Sequence, residues 1–573
     1  MNIFTGLLFI TVVNFSFFGT GTAVFKFLDK KDHSVRNTVF LKIIAGWCFS
    51  IFLLSLINIF FPINYAVSIL IFSSGIIAAV SELRKTKSVL LDPWTRLLVF
   101  CCALWAVITS FGPPQHYDSG LYHYNAVRWL NEFPVVPGIA NLHKRLGFNN
   151  TFFVYASALK FYPYADNCLR LANPVVAVFT AGYLSERLFA LKKEDNDSYS
   201  VKILLFTAAV LLLYVFFLPV SSLYMSSPAP DLVSIFLQII MFFSAAEYLL
   251  SDKHNQEFHL KFSAFLAVTA VTVKLSNAAF SSVIFLFVFY ELIRVFAYKG
   301  KNSFDLKKIF MFLALPCAVF LLWAVRGYIM SGYPLYPSAF GGIDFQWTMP
   351  LPNVKDLNDL MKGYARESSD NWRLALTGWQ WFGGWFRKLT GHWHFFKPVI
   401  LSLIFLGFYA LASLFRRRIK VGREFFLFVP VVFTFFIWFI NAPTPRFIFG
   451  VFWLLPLCMS IVFLRSIEGV AGRKSEKIIF TAVLIVLVHP CVVDGAKKAV
   501  KYDYTDITMA EVPVAECYQQ SFGEGMLTYT PENGDQCWDS PLPCTQYIYE
   551  GLKLIDRNDI SKGFYIDRKK EDT

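Results

Sequence analysis

The chain has 573 residues, of which 56% are hydrophobic, 18% aromatic and only 16% charged, and its mean hydropathy is +0.49. This composition excludes an ordinary soluble enzyme and indicates a polytopic membrane protein. The net charge of +13 calls for no nucleic-acid partner, because basic loops beside anionic membrane lipids account for it.

About fourteen apolar stretches approach the roughly 17 to 25 residues that a helix needs to cross a bilayer. They run over 3–25, 38–61, 64–81, 94–112, 168–190, 201–220, 231–250, 259–275, 277–298, 306–325, 397–415, 424–441, 445–464 and 477–493. The sequence therefore predicts an all-α membrane domain over 1–493, with large exterior loops at 113–150 and 326–396. A small exterior tail over 494–573 follows.

Charge asymmetry sets the expected orientation. The connections rich in lysine and arginine are 26–37, 82–96, 294–308, 416–423 and 465–477. With fourteen crossings they all fall on one side, which the positive-inside rule makes cytoplasmic. The opposite, exterior face then holds 113–150, 221–230, 326–396, 441–444 and the tail.

The first exterior loop reads Gln-His-Tyr-Asp-Ser-Gly-Leu-Tyr-His-Tyr over 115–124. A lone carboxylate among histidines and tyrosines at a lipid boundary suits a proton acceptor, because its surroundings can tune its pKa. Asp118 is thus a candidate catalytic residue, and His116, Tyr122 and His123 surround it in the sequence. An alternative stays open, in which Asp118 only caps the following helix, whose apolar face is formed by Leu121, Tyr124, Val127 and Leu130.

A second acid and several cations lie at exterior helix ends. Asp231 follows a Ser-Ser-Pro-Ala-Pro turn and is the other candidate catalytic residue. Ionisable groups at membrane depth are costly and often mark a site. Converging cations would fit a phosphate or pyrophosphate, and the candidates are Arg446, Lys274, Arg326 and Arg145. The alternative for each cation is simple extension toward lipid head groups.

Cysteine and histidine positions add two further expectations. Cys537 and Cys544, in the exterior tail, predict a disulfide, with Cys491 as a further candidate partner. His116, His123 and His143 share the Asp118 loop, so a divalent metal is an open expectation there. Six tryptophans within 326–396 predict amphipathic pieces at the membrane interface.

Taken together, four features resemble the GT-C superfamily of polyprenyl-phosphate-dependent glycosyltransferases. They are the acid in the first exterior loop, the second acid at the next exterior turn, Tyr-Pro-Leu-Tyr-Pro at 333–337, and Pro-Arg-Phe at 445–447. The similarity covers roughly residues 90 to 465 and is to the protein O-mannosyltransferase and aminoarabinose-transferase kind, including bacterial members of unassigned substrate. Four spans precede the acidic loop here, so the first three are extra relative to the usual family pattern, in which that loop follows the first helix. Ser119 follows Asp118 where the family often has a second acid.

The resemblance implies an inverting transferase in a bacterial plasma membrane, with its active site on the non-cytoplasmic face. A polyprenyl-phosphate sugar donor would enter from the membrane lipids, and a glycan, lipid or protein acceptor would arrive from outside. Asp118 would be the general base, and Asp231 would position the acceptor or tune Asp118. His116, Tyr122 and His123 would be substrate-binding residues that hydrogen-bond to the donor or the acceptor. Arg446, helped by Lys274, Arg326 or Arg145, would hold the phosphate.

Three other functions stay open. A transporter or flippase of lipid-linked sugar would also have many spans and buried ions, although the candidate charges here gather at one face rather than at the midplane. A surface-polysaccharide polymerase or ligase would use the same kind of donor. A noncatalytic assembly protein is the third alternative.

Overall fold

The computed structural model describes residues 1–28, 38–85, 91–193, 198–218, 221, 224–250, 256–299, 306–369, 371–391, 393–414, 422–469, 472–501, 508–522 and 526–567. Many residues of the predicted basic connections lie outside this described part of the chain, among them Lys30, Lys31, Arg36 and Lys87.

The described chain is mostly helical, as the apolar periodicity predicts. Its long helices are Ile3–Leu28, Val39–Phe60, Tyr65–Lys85, Pro93–Thr109, Ala172–Lys192, Tyr199–Phe217, Pro230–Leu250, Gln256–Val273, Ala278–Lys299, Leu306–Ser331, Trp393–Leu414, Phe428–Asn441, Phe449–Ser466 and Arg473–Lys501. Every predicted apolar stretch therefore forms a helix.

Twelve helices in the described residues are long and apolar enough to cross a membrane. The apolar stretches predicted at 94–112 and 259–275 give the shorter apolar helices Pro93–Thr109 and His259–Val273. The helix Phe395–Leu414 has only 22% of its most apolar window buried inside the protein. Such a helix needs an apolar solvent around it, so the chain is an integral membrane protein.

The helix Pro230–Leu250 forms the centre of the bundle. All of its residues are buried, including the charged residues at its two ends, Asp231 and Glu247. Glu247 accepts hydrogen bonds from Arg187 Nε at 2.6 Å and Tyr183 Oη at 3.0 Å. Asp231, in the first turn, lies at the other end of the same helix and belongs to the site described below.

Ion pairs link the predicted basic connections to neighbouring helix ends. Lys26 pairs with Glu82 at 2.9 Å and Lys193 with Asp92 at 2.9 Å. Three further contacts link neighbouring connections, namely Lys202 with Glu476, Arg423 with Glu291, and Arg465 with Glu424. Each of these contacts has at least one partner in a predicted basic connection, and together they join helix ends on one side of the bundle.

Short elements form the two large loops and the tail. They are the helices Tyr124–Glu132, Ile139–Leu142, Thr151–Ser157, Ala165–Arg170, Leu351–Arg366 and Trp381–Gly391, and the strands Cys517–Phe522, Met526–Pro531, Leu552–Leu554 and Phe564–Ile566. The first two strands pair antiparallel, as do the last two. The predicted disulfide between Cys537 and Cys544 is present, and Cys491 is a buried free thiol.

Two predicted boundaries that involve charged residues differ from the structure. The helix predicted to end at residue 325 continues to Ser331, so Arg326 lies inside it. A charged residue in an apolar run predicts the end of the span, but the Arg326 guanidinium is hydrogen-bonded inside the protein to Asn58 and Asn149. The last long helix also runs past residue 493, to Lys501, and so includes both Pro490 and Gly495.

Candidate functional site

Asp118 lies where a widened helical turn begins. Residues Ser119–His123 form a π-helical turn, closed by the bond from the Tyr124 N–H to the Ser119 carbonyl, and the α-helix Tyr124–Glu132 continues from it. The Asp118 side chain makes no capping hydrogen bond. The capping alternative therefore does not explain this acid. Turns of this kind are frequent at functional sites, because the extra residue redirects side chains.

The Asp118 carboxylate faces Arg446. Arg446 Nη1 lies 3.3 Å from Asp118 Oδ2, and the two side chains are 38% and 16% exposed. Arg446 belongs to the short 3₁₀ turn Pro445–Phe447, whose first residue fixes the backbone. The ring of Phe447 lies beneath two cations, 5.0 Å from the Arg446 guanidinium and 5.1 Å from Lys274 Nζ. The Phe447 ring thus makes cation–π contacts with both cations.

Asp231 carries the second ion pair. Lys274 Nζ lies 2.6 Å from Asp231 Oδ1, and the Asp231 side chain is only 6% exposed. His116 Nε2 lies 3.7 Å from the other oxygen, Asp231 Oδ2. His116 Nδ1 accepts a hydrogen bond of 3.2 Å from the Asp118 N–H. His116 therefore connects the two acids.

Aromatic rings enclose the two histidines. The rings of His116 and His123 stack at 5.4 Å, and Tyr224 meets His116 edge-on at 4.7 Å. Tyr122 covers the other side of His123, with 4.5 Å between ring centroids. Burial lowers the pKa of both histidines, that of His123 well below its usual range, and raises the pKa of Tyr122. Both imidazoles and the phenol are therefore held neutral near pH 7.

Arg145 lies beside this cluster, on the 3₁₀ turn Lys144–Gly147. The charges of Arg145 and Arg446 both act to lower the pKa of Tyr122, against the larger effect of burial, so both guanidinium groups lie near that ring. Arg145 is half-buried, and no acidic residue pairs with it in the part of the chain that the structure describes. It is therefore a cation available to an incoming anion.

Arg326 is hydrogen-bonded to neutral side chains and forms no ion pair among the described residues. Its side chain is 2% exposed, and its Nη1 donates to Asn58 Oδ1 at 2.8 Å while its Nε donates to Asn149 Oδ1 at 3.4 Å. These neutral acceptors tie three parts of the chain together. The structure thus gives Arg326 a packing role and lends no support to the predicted phosphate contact.

The tail packs directly on the Asp118 turn. The Trp538 N–H donates to the Gly120 carbonyl at 2.8 Å, and Gln536 Nε2 donates to the Tyr117 carbonyl at 2.8 Å. The Tyr117 hydroxyl donates to Asp535, which raises the pKa of Tyr117 to about 12. A Cβ atom on Gly120 would overlap the Trp538 indole, so only glycine fits beneath this ring.

One group of side chains in the described residues has the spacing of metal ligands. His116, Asp118 and His123 each offer one ligand atom, and these atoms lie within 4.8 Å of one another. His143, the third histidine of the loop, is not part of the group. Neutral imidazoles and a carboxylate are suitable ligands for a divalent ion.

The structure brings together seven of the nine residues singled out in the sequence and places Arg145 at their edge. Tyr224, Phe447 and Trp538 complete the site and were missed. Phe447 follows Arg446 directly, so its position in the Pro-Arg-Phe turn was a usable signal. Trp538 lies more than 400 residues from Gly120 along the chain, and no sequence periodicity connects the two.

Comparisons with known proteins identify the family of this chain but not its function. No curated protein and no solved structure matches this chain. A family model described as a domain of unknown function, DUF8201, matches residues 4–453, which is most of the chain. The chain therefore belongs to the DUF8201 family.

Proposed function

We propose that the protein is an integral-membrane glycosyltransferase of the GT-C kind, which moves a sugar from a polyprenyl-phosphate donor to an acceptor hydroxyl outside the cytoplasm. One observation carries the proposal: distant parts of the chain bring the ion pairs Asp118–Arg446 and Asp231–Lys274 together around His116. Acids for proton transfer and cations for phosphate are the groups that this reaction needs.

The proposed orientation counts fourteen crossings, with Pro93–Thr109 and His259–Val273 added to the twelve longer helices. The basic connections then lie in the cytoplasm, and the cluster lies outside. The ion pairs among those connections support this arrangement, because they gather the basic ends away from Asp118. A lipid-linked donor in the outer leaflet would present its phosphate at the level of the cluster.

Asp118 acts as the general base in the proposed reaction. The acceptor oxygen attacks the anomeric carbon, and its proton passes to the Asp118 carboxylate. The bond from that carbon to the phosphate oxygen breaks, and polyprenyl phosphate leaves with the electron pair. This single displacement inverts the anomeric centre. A positioned base of this kind contributes about 10²- to 10⁴-fold to the rate.

Arg145 and Arg446 hold the donor phosphate in this proposal. Both lie near Tyr122, and Arg145 has no ion-pair partner within the described residues. A guanidinium can make two parallel hydrogen bonds to a phosphate and stabilises the charge that develops on the leaving group. Lys274 stays with Asp231, and this pair positions His116 and the acceptor.

Reconstituted proteoliposomes test the proposal. Purified wild-type protein, a panel of polyprenyl-phosphate sugars and an extract of envelope acceptors should give sugar transfer together with release of polyprenyl phosphate. The variant Asp118→Asn should lose at least about 100-fold of the rate, because the amide cannot accept the proton. The readouts are sugar incorporated into acceptor and polyprenyl phosphate released.

Glu132→Gln is the matched control, since Glu132 is an arginine-paired acid of the same loop, 2.6 Å from Arg128. It should keep the wild-type rate. Transfer by Asp118→Asn at the wild-type rate would contradict the role of Asp118. Movement of labelled donor across the bilayer without cleavage of the phosphate ester would show that the protein transports the donor and does not transfer its sugar.

A further inference from the structure

Two buried histidines in the cluster lack the hydrogen bonds that buried polar groups normally make. His123 is 0% exposed, and neither of its ring nitrogens has a hydrogen-bond partner among the described residues. His116 is 3% exposed, and its Nε2 also lacks one. Leaving such groups unpaired is costly, so each one needs an explanation.

The charges of the cluster are balanced before any donor arrives. Asp118 is neutralised by Arg446, and Asp231 by Lys274. Arg145 alone supplies a surplus positive charge. An anionic substrate therefore meets only Arg145 as an unpaired cation among the described residues, and any further positive charge must come from Arg446 or Lys274 at the cost of its ion pair, or from an added cation.

We infer that His116, Asp118 and His123 form a binding site for a divalent transition-metal ion. Their three ligand atoms lie within 4.8 Å of one another. Tetrahedral ligands at about 2.0 to 2.2 Å from a shared ion lie about 3.3 to 3.6 Å apart, so the ligand atoms must approach one another by roughly 1 Å, through rotation of the side chains, to close the site. Three protein ligands leave a coordination position open for water or substrate.

The surroundings of His116 fit a ligand role. His116 Nδ1 points toward Asp118, where its present hydrogen bond to the Asp118 N–H is a long one, 3.2 Å. When Nδ1 binds the ion, Nε2 carries the proton and faces Asp231 Oδ2 at 3.7 Å. A metal-ligating histidine commonly donates its second N–H to a carboxylate in this way. Lys274 holds that carboxylate in place at 2.6 Å.

The ligand set selects the class of ion. Two imidazoles and one carboxylate suit Zn²⁺, Fe²⁺ or Co²⁺, whereas Mg²⁺ and Ca²⁺ prefer ligand sets made of oxygen. A bound dication would add two positive charges to a balanced cluster and so create a site for a phosphate. This last consequence rests on the proposed function, but the binding of the ion does not.

Metal binding by the purified full-length protein tests the inference without a substrate. Protein stripped with a chelator is titrated with Co²⁺, whose visible absorption reports its ligands, and with Zn²⁺ in competition. We expect about one ion per chain, and a large excess of Mg²⁺ should not displace it. His123→Gln should weaken Co²⁺ binding by at least about 100-fold, because it removes a ligand whose loss no nearby group replaces.

His143→Gln is the matched control, since it removes a histidine of the same loop that lies outside the group. It should bind Co²⁺ as the wild type does. Wild-type protein that binds no Co²⁺, or binding weakened equally by His123→Gln and His143→Gln, would overturn the inference, and the wild-type result holds even if a variant fails to fold. Metal binding without sugar transfer would contradict the proposed function and leave the metal site standing.

Discussion

Each carboxylate of the cluster has its own cation, and a histidine lies between the two pairs. Asp118 is the more exposed of the two acids and faces the partly exposed Arg446, so it is the one that a substrate can reach. Asp231 is almost fully buried and bonded to Lys274, which fits a positioning role. In the proposed reaction, this difference in exposure assigns the general-base role to Asp118 and the positioning role to Asp231.

His123 makes the stability of the metal-free protein depend on pH. Burial lowers the pKa of His123 well below the value of 6.5 for a free side chain. Below about pH 6.5 the unfolded chain then binds a proton that the folded protein does not. The free energy of unfolding therefore falls as the pH falls, by up to about 1.4 kcal/mol per pH unit, and this dependence disappears above about pH 6.5.

Thermal unfolding in detergent, with a chelator present, measures this effect between about pH 7.5 and about pH 5.5. The variant His123→Gln should lose less stability over that interval than the wild type, because it lacks the imidazole that takes up about one proton on unfolding. Equal pH dependence in the two proteins would mean that His123 titrates alike in the folded and unfolded states.

At the scale of residues, exterior placement was enough to single out Asp118, Asp231, Lys274 and Arg446, because charged groups at helix ends stand out in an apolar chain. The same criterion also selected Arg326, whose guanidinium is hydrogen-bonded to neutral side chains. A buried guanidinium satisfied by asparagine side chains has the same sequence signature as one that awaits a phosphate. Only the positions of Asn58 and Asn149 distinguish the two cases.

At the scale of elements, the π-helical turn Ser119–His123 and the segment around Trp538 form one unit. Trp538 has a φ angle of 48°, a left-handed conformation that costs a non-glycine residue roughly 1 kcal/mol or more. Its indole covers Gly120 and contacts the ring of Tyr124 at 5.8 Å. The tail thus holds the turn that carries Asp118.

Gly120→Ala should destabilise the protein by about 1 to 3 kcal/mol, because the added methyl group overlaps the Trp538 indole. Thermal unfolding measures the loss, and the double variant Gly120→Ala with Trp538→Ala should lose less than the sum of the single variants. Additive losses would show that the two residues are not coupled.

Gly407→Ala, inside the helix Trp393–Leu414, provides the control for the effect of a methyl group on a helical glycine. A Cβ atom there meets nothing within 4 Å. Alanine also favours the helix by up to about 1 kcal/mol over glycine, so this variant should be neutral or slightly more stable than the wild type. A loss as large as that of Gly120→Ala would point to a general effect of the substitution.

Apolar runs predicted the long helices well, since length and hydropathy are local properties of the sequence. The disulfide was also predictable, because Cys537 and Cys544 lie seven residues apart in the tail. The π-helical turn was not, because one extra residue in a helix leaves no pattern that can be read without its packing partner. The same holds for the contact between the tail and the first exterior loop.

At the scale of the whole molecule, the protein has two unlike ends. Ion-paired basic connections gather at one end, and the acid and cation cluster lies at helix ends on the other. The tail closes that second end. Its Met509 N–H donates to the Met1 carbonyl, and its Ala510 N–H donates to the carbonyl of Phe111, just before the first exterior loop. The tail is therefore part of the architecture of the site.

The most direct test is an experimental structure of the protein in a lipid bilayer with an unreactive analogue of a polyprenyl-phosphate sugar. The account predicts that the phosphate contacts Arg446 or Arg145. It also predicts that the anomeric carbon lies where an acceptor oxygen, hydrogen-bonded to Asp118, can approach to about 3 to 3.5 Å. A donor phosphate bound among the basic connections at the opposite end, with Asp118 out of reach of the sugar, would contradict it.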